Sequence, residues 1–218
     1  MTSPSAPAAE DRKLSLPRLM AVVFLPFATG YFFSYLYRTV NAVIGPDLAV
    51  ELGLSAAQLG MLSSAYFITF AAAQIPIGVY LDSHGPRRVE TILLVIAAMG
   101  ALVFALGDSL WGLVLGRGLI GLGVAACLMG SFKAMSEWFP MDRLPLMNGL
   151  IVAFGGLGAM VATAPTELVV AEIGWRNGFI ALSIATALVA VAIWFVVPER
   201  TRAGSAEPLS VRIGGLKG

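Results

Sequence analysis

Two arginines stand where arginine is costly. Arg38 closes the apolar run 19–37, and Arg117 lies about seven residues inside the apolar run 110–133. A guanidinium stays charged at any physiological pH and offers five N–H donors in a flat fork that suits carboxylates. Tyr31, Ser34, Tyr35, Arg38 and Asn41 recur at three- and four-residue steps and therefore share one helix face. A polar face in a membrane bundle looks into a water-filled cavity, because an unpaired Arg in lipid costs several kcal/mol. On this reading Arg38 is a cationic contact for an anionic solute, and the tyrosines supply hydroxyls and ring surface. A second reading has Arg38 snorkel to the outer headgroups, with Tyr35 and Tyr37 in the interfacial aromatic belt. Arg117 has its own pair of readings. It is either a second cationic contact or a structural donor to neighbouring backbone carbonyls.

A third cluster is the stretch 78–88, GVYLDSHGPRR, which sets Asp82, His84, Arg87 and Arg88 between two long apolar runs. Arg87 and Arg88 anchor one membrane face. Gly78 permits close helix approach, Asp82 caps a helix or pairs with Arg, and Gly85 makes the turn. His84 is read as solvated, and as a lone histidine it supports no metal site.

The elements that must position these residues are membrane helices. Hydrophobic residues make up 58% of the chain and charged residues 12%, about half the charged share of a soluble domain. Apolar helices are expected at about 19–44, 56–80, 89–107, 110–133, 146–166 and 176–197. Each is long enough for a hydrocarbon core of roughly 30 Å. Breakers fall between them at Gly45-Pro46, Gly85-Pro86, Gly107-Asp108-Ser109, Pro140 with Pro145, and Gly174, and Ser55 suits an N-cap for the second helix. The fold class is all-α and polytopic. Its segments are a flexible cytoplasmic tail at 1–18, a six-helix membrane domain at 19–198, and a second cytoplasmic tail at 199–218, read as the start of a linker to a further half. No Asp or Glu is read as mid-span, so the spans lack a carboxylate for proton coupling.

Lysine and arginine set the orientation. With both termini inside, cytoplasmic segments hold Arg12, Lys13, Arg18, Arg87, Arg88, Lys133, Arg143, Arg200, Arg202, Arg212 and Lys217, eleven of the fourteen cations. Outer segments carry Asp47, Glu51, Asp108, Glu167 and Glu172. That asymmetry obeys the positive-inside rule and suits a bacterial inner membrane. Sliding the chain by 89 positions matches Pro76 to Pro165, Gly85 to Gly174 and Arg87 to Arg176. The six helices thus read as two inverted three-helix repeats, a transporter device. The glycines of the fifth helix, Gly149, Gly155, Gly156 and Gly158, read as packing residues.

The stretch 78–88 resembles the signature loop between helices 2 and 3 of the major facilitator superfamily, Gly-x-x-x-Asp-(Arg/Lys)-x-Gly-(Arg/Lys)-(Arg/Lys). Ser83 replaces the usual cation. Arg117–Gly123 is similar to a second signature of that superfamily, Arg-x-x-x-Gly-x-Gly on helix 4. The resemblance implies the amino-terminal six-helix half of a secondary transporter that moves a small solute by alternating access. It also implies that the arginine of helix 4 serves proton or substrate coupling. Gly78, Asp82, Gly85, Arg87 and Arg88 would form a gating latch between halves, and Tyr31, Tyr35, Arg38, Asn41 and Arg117 would contact solute. The solute expected from Arg38 and Arg117 is an organic anion or similar metabolite.

No nucleotide loop, metal cluster or nucleophile constellation occurs, so no enzyme activity and no cofactor are expected. Near-zero net charge offers no case for nucleic acid. The expected partners are a small solute, the lipid bilayer, and either a carboxyl-terminal six-helix half or a second copy of the chain. Three accounts of its length remain open: a truncated or split transporter, a half that pairs to work, or a non-transporting interaction module.

Overall fold

The computed structural model describes residues 15–199. Arg12, Lys13, Arg200, Arg202, Arg212, Lys217 and most of both expected tails lie outside the described residues. Six helices are long and apolar enough to cross a membrane: α1 (Leu16–Leu52), α2 (Ala56–His84), α3 (Pro86–Ala105), α4 (Leu110–Trp138), α5 (Met141–Val161) and α6 (Ala164–Val196). No strand occurs among the described residues.

Several boundaries depart from the expected ones. α1 runs through Gly45-Pro46 and stops only at Gly53, in the left-handed region at φ 65°. Pro46 denies the carbonyl four residues earlier its helical partner, and it sits in an exposed last stretch of α1 with Asp47 and Val50. Ser55 caps α2 as expected, and Gln58 completes a capping box. α4 breaks at Val124–Ala126 and resumes at Cys127. α5 ends at Val161, and Pro165 opens α6 instead of closing α5. Gly174 interrupts α6 at φ 78°, so the expected connector before the sixth span is itself helical.

The inverted repeat holds in three dimensions, at the 89-residue offset. Gly85 and Gly174 share one backbone conformation, φ 78° ψ 161° and φ 78° ψ 157°, which a side chain would strain. Each turns the chain into the last helix of its repeat. From α3, Arg87 donates to the Trp194 carbonyl near the end of α6; from α6, Arg176 donates to the Ala105 carbonyl at the end of α3, 2.9 Å away. The offset that carries Arg87 onto Arg176 also carries Ala105 onto Trp194. The same operation relates α1 against α5 to α4 against α2. Gly158 abuts the Phe32 carbonyl in one pair, and Gly121 abuts Thr69 in the other. Glycines also let α3 and α4 touch backbone to backbone: a Cβ on Gly100 would lie 2.7 Å from the Ile120 nitrogen, and one on Gly116 2.7 Å from the Phe104 nitrogen.

Candidate substrate-binding site

Both arginines converge on Tyr66 of α2. The Arg117 guanidinium lies 4.9 Å from the centre of the Tyr66 ring, and the Tyr66 hydroxyl faces Arg38. Arg38 is half-buried in an aromatic cage, 4.8 Å from the Tyr35 ring centre, 5.1 Å from Phe70 and 5.9 Å from Phe67. Cations are attracted to such faces, the more so away from water. Arg117 is 1% exposed and donates through Nη1 to the Tyr37 carbonyl at 3.0 Å. Neither guanidinium makes an ion pair among the described residues, and Nε of each is buried without a hydrogen-bond partner. Two positive charges thus lie around Tyr66 with ring faces, the Tyr66 hydroxyl and one carbonyl as their partners.

The expected α1 face only partly holds together. Tyr31 and Tyr35 pack edge to face at 5.1 Å, against Gly155 of α5, where a Cβ would sit 2.6 Å from the Tyr31 ring. Asn41 turns to α2 and donates to Ser63 at 2.8 Å, with its Oδ1 left unpaired. Tyr37 does not join an interfacial belt. It is fully buried and bonds Thr186 of α6 at 2.9 Å, because its position on α1 faces α6 and not lipid. Tyr66, Phe67 and Phe70 complete the cage and were not among the expected site residues. Their signal is present in the sequence as aromatics at one- and four-residue spacing on the second helix.

The 78–88 stretch turns α2 into α3. Gly85 makes the turn, Asp82 pairs with Lys133 of α4, and Arg88 pairs with Glu199. Arg87 spreads over the Trp194 ring, 5.2 Å from its centre, as it bonds that residue's carbonyl. Gly78 departs from expectation: a Cβ there would meet nothing within 4 Å. A groove of about 430 Å³, lined by Ala73, Ile77, Tyr80 and Val89, separates α2 from α3 along this stretch. At the opposite end Arg176 gathers Glu51 and Asp108, each at 3.0 Å.

One carboxylate does lie within a span. Glu90, in the second turn of α3, is 0% exposed, and neither of its oxygens has a hydrogen-bond partner. Its place so near the helix start reads as interfacial in sequence. Burial follows from Gly30 of α1 and Gly130 of α4, which close over it.

The family model of the Major Facilitator Superfamily matches residues 27–212. The chain belongs to the Major Facilitator Superfamily. Among superfamily relatives, the chain is 30% identical over 152 residues to a probable sulfoacetate transporter, SauU, of Cupriavidus necator, covering 70% of this chain and 35% of that one. It is 28% identical over 173 residues to the hexuronate transporter of Escherichia coli, covering 79% and 40%. A nitrate/nitrite transporter, NrtP, of Picosynechococcus is 36% identical over 130 residues, covering 60% and 24%. The fold resembles a bacterial homologue of the human lysosomal transporter Spinster, with a TM-score of 0.77 at 21% identity over 88% of this chain and 47% of that one. The chain thus spans less than half the length of each of these proteins. As a superfamily member with six apolar helices it is an integral membrane protein and not an enzyme.

Proposed function

We propose that this six-helix unit binds a small organic anion between Arg38 and Arg117. It carries that anion by alternating access, as the amino-terminal half of a secondary transporter in a bacterial inner membrane. The observation that carries this reading is the pair of guanidiniums around Tyr66, with an unpartnered Nε on each and no acid paired to either among the described residues. Sulfoacetate, hexuronate and nitrate, the solutes in the relatives' names, are all anions. The facing wall of the site comes from a second six-helix unit. In support, α2 and α5 leave large apolar side chains such as Ile75, Val79, Leu157 and Met160 outside the bundle.

Both chain termini face the cytoplasm on this proposal, since Arg87, Arg88, Lys133 and Arg143 fall on the connectors of one membrane face and Glu51, Asp108, Glu167 and Glu172 on the other. The cytoplasmic cluster of Gly78, Asp82, Gly85, Arg87 and Arg88 acts as the gate. Its Asp82–Lys133 pair ties α2 to α4, and its Arg88–Glu199 pair ties α3 to the segment just after α6.

Thermal stabilisation of the detergent-solubilised chain by carboxylates and sulfonates tests the reading. Anions should raise the unfolding temperature and their uncharged amides should not, with the response lost in Arg38→Ala. A response to amides equal to that for anions would sink it. A non-transporting interaction module would respond to neither.

A further inference from the structure

Glu90 is the most deeply enclosed acid among the described residues, and nothing in the anion site uses it. Its side chain is 0% exposed. A Cβ added to Gly30 of α1 would stand 2.6 Å from Oε1, and one added to Gly130 of α4 would collide with Oε2. Two glycines on two helices therefore form a slot cut to the size of one carboxyl group. No described residue donates a hydrogen bond to either oxygen.

The surrounding groups offer no counter-charge. Cys127, also 0% exposed, is the titratable group that faces Glu90 from α4. Ser131, one turn on, spends its hydroxyl on the Cys127 and Phe27 carbonyls. On α1, Tyr31 interacts with Tyr35, Arg38 and Cys127. On α3 itself, Arg87 and Arg88 turn outward to Trp194 and Glu199. On the buried face of α6, Ser183 is bonded to the Ala98 carbonyl and Thr186 to Tyr37. From α2, Asp82 is paired with Lys133. No set of three His, Cys, Asp or Glu side chains able to hold a metal ion occurs among the described residues. A bare carboxylate cannot persist in such a slot, and the species that neutralises it without added ligands or volume is a proton.

We propose that Glu90 is a proton-binding site, and that the packing of α1 and α4 over α3 at Gly30 and Gly130 holds only while its carboxyl group is protonated. Loss of the proton leaves an anion that needs water. Hydration in turn requires α1 and α4 to part from α3 at this level. The proton thus binds the closed packing better than the parted one and shifts the balance between them by that difference. Gly30 lies eight residues before Arg38, roughly 12 Å along α1, so proton and anion occupy separate places on one helix. The inference does not depend on which solute is carried.

Infrared difference spectroscopy of the chain in lipid nanodiscs, with its glutamates carboxyl-labelled with carbon-13, tests the charge state. At neutral pH the expected spectrum contains the carbonyl stretch of a protonated glutamic acid that exchanges slowly with deuterium. Glu90→Gln removes that band. Cys127, the only cysteine, reports the parting of helices through its labelling rate with N-ethylmaleimide. Thiol labelling accelerates with pH in any case because the thiolate reacts. Glu90→Gln supplies that baseline, and the wild type should exceed it severalfold in mildly alkaline buffer. Absence of the labelled band from the wild type at neutral pH overturns the proposal, whether or not the Gln variant folds. So does survival of the band in Glu90→Gln, or identical labelling profiles for the two proteins.

Discussion

Replacing Arg117 with Met separates an arginine kept for a ligand from one kept for the fold. The guanidinium makes one bond to the Tyr37 carbonyl and one face contact with Tyr66. A charged hydrogen bond is worth about 1.5–3 kcal/mol, and a desolvated cation–π contact about 2 kcal/mol. Against both stands the cost of holding an unpaired cation that is 1% exposed, several kcal/mol. Met fills similar length with no charge to desolvate, and the Tyr37 carbonyl keeps its place in the α1 ladder. The opposing contributions nearly cancel, so Arg117→Met should change the unfolding free energy by less than about 2 kcal/mol in either direction. Anion binding should behave differently. Removing one partner of a buried charge pair costs about 2–5 kcal/mol, and the lower bound is roughly a thirtyfold loss of affinity. Equilibrium unfolding in mixed micelles, followed by tryptophan fluorescence with and without a carboxylate ligand, reads both quantities. A loss of stability above about 4 kcal/mol with an unchanged ligand response would refute the reasoning and leave Arg117 a structural donor.

Other outcomes follow from the repeat and its packing. Arg87→Ala should destabilise by about 1 kcal/mol, the loss of a partly exposed charged bond to the last turn of the partner helix, and Arg176→Ala by somewhat more, because Arg176 also pairs with Glu51 and Asp108; an unchanged unfolding midpoint in either variant would argue against a bracing role. Ala at Gly85 or Gly174 should cost about 1–3 kcal/mol, because both backbones sit at φ 78° where side chains are strained. Gly158→Ala drives a methyl into the Phe32 carbonyl and should cost about 1–3 kcal/mol. Gly149→Ala points into open space and should stay within about 0.5 kcal/mol, as measured by the same unfolding curves.

The spans and their repeat are legible in the sequence for a physical reason. Twenty apolar residues in a row have few alternatives to a membrane helix, and the glycines before Arg87 and Arg176 recur because only glycine adopts their φ. Arg38 and Arg117 are legible as a pair because charge is rare in such runs. Their meeting at Tyr66 is not legible, since it depends on how α2 crosses α1 and α4. Glu90 is hidden for the same reason. Local sequence places it beside two arginines at a helix start, whereas its burial comes from glycines 60 and 40 positions away on other helices. Gly78 errs the other way, with a small residue in a signature position and no helix against it among the described residues. Helix ends are the least legible feature. Gly45-Pro46 reads as the end of the first span, but α1 carries Pro46 within the helix and stops only at Gly53.

The most direct test of the central claim is equilibrium binding of a radiolabelled carboxylate to this chain in nanodiscs, competed by a sulfonate of similar size and by the carboxylate's own amide. An anion site between Arg38 and Arg117 predicts that the sulfonate displaces the label, that the amide does not, and that the Arg38→Ala, Arg117→Met double variant binds none. Displacement by the amide at equal strength, or unchanged binding by the double variant, would contradict it.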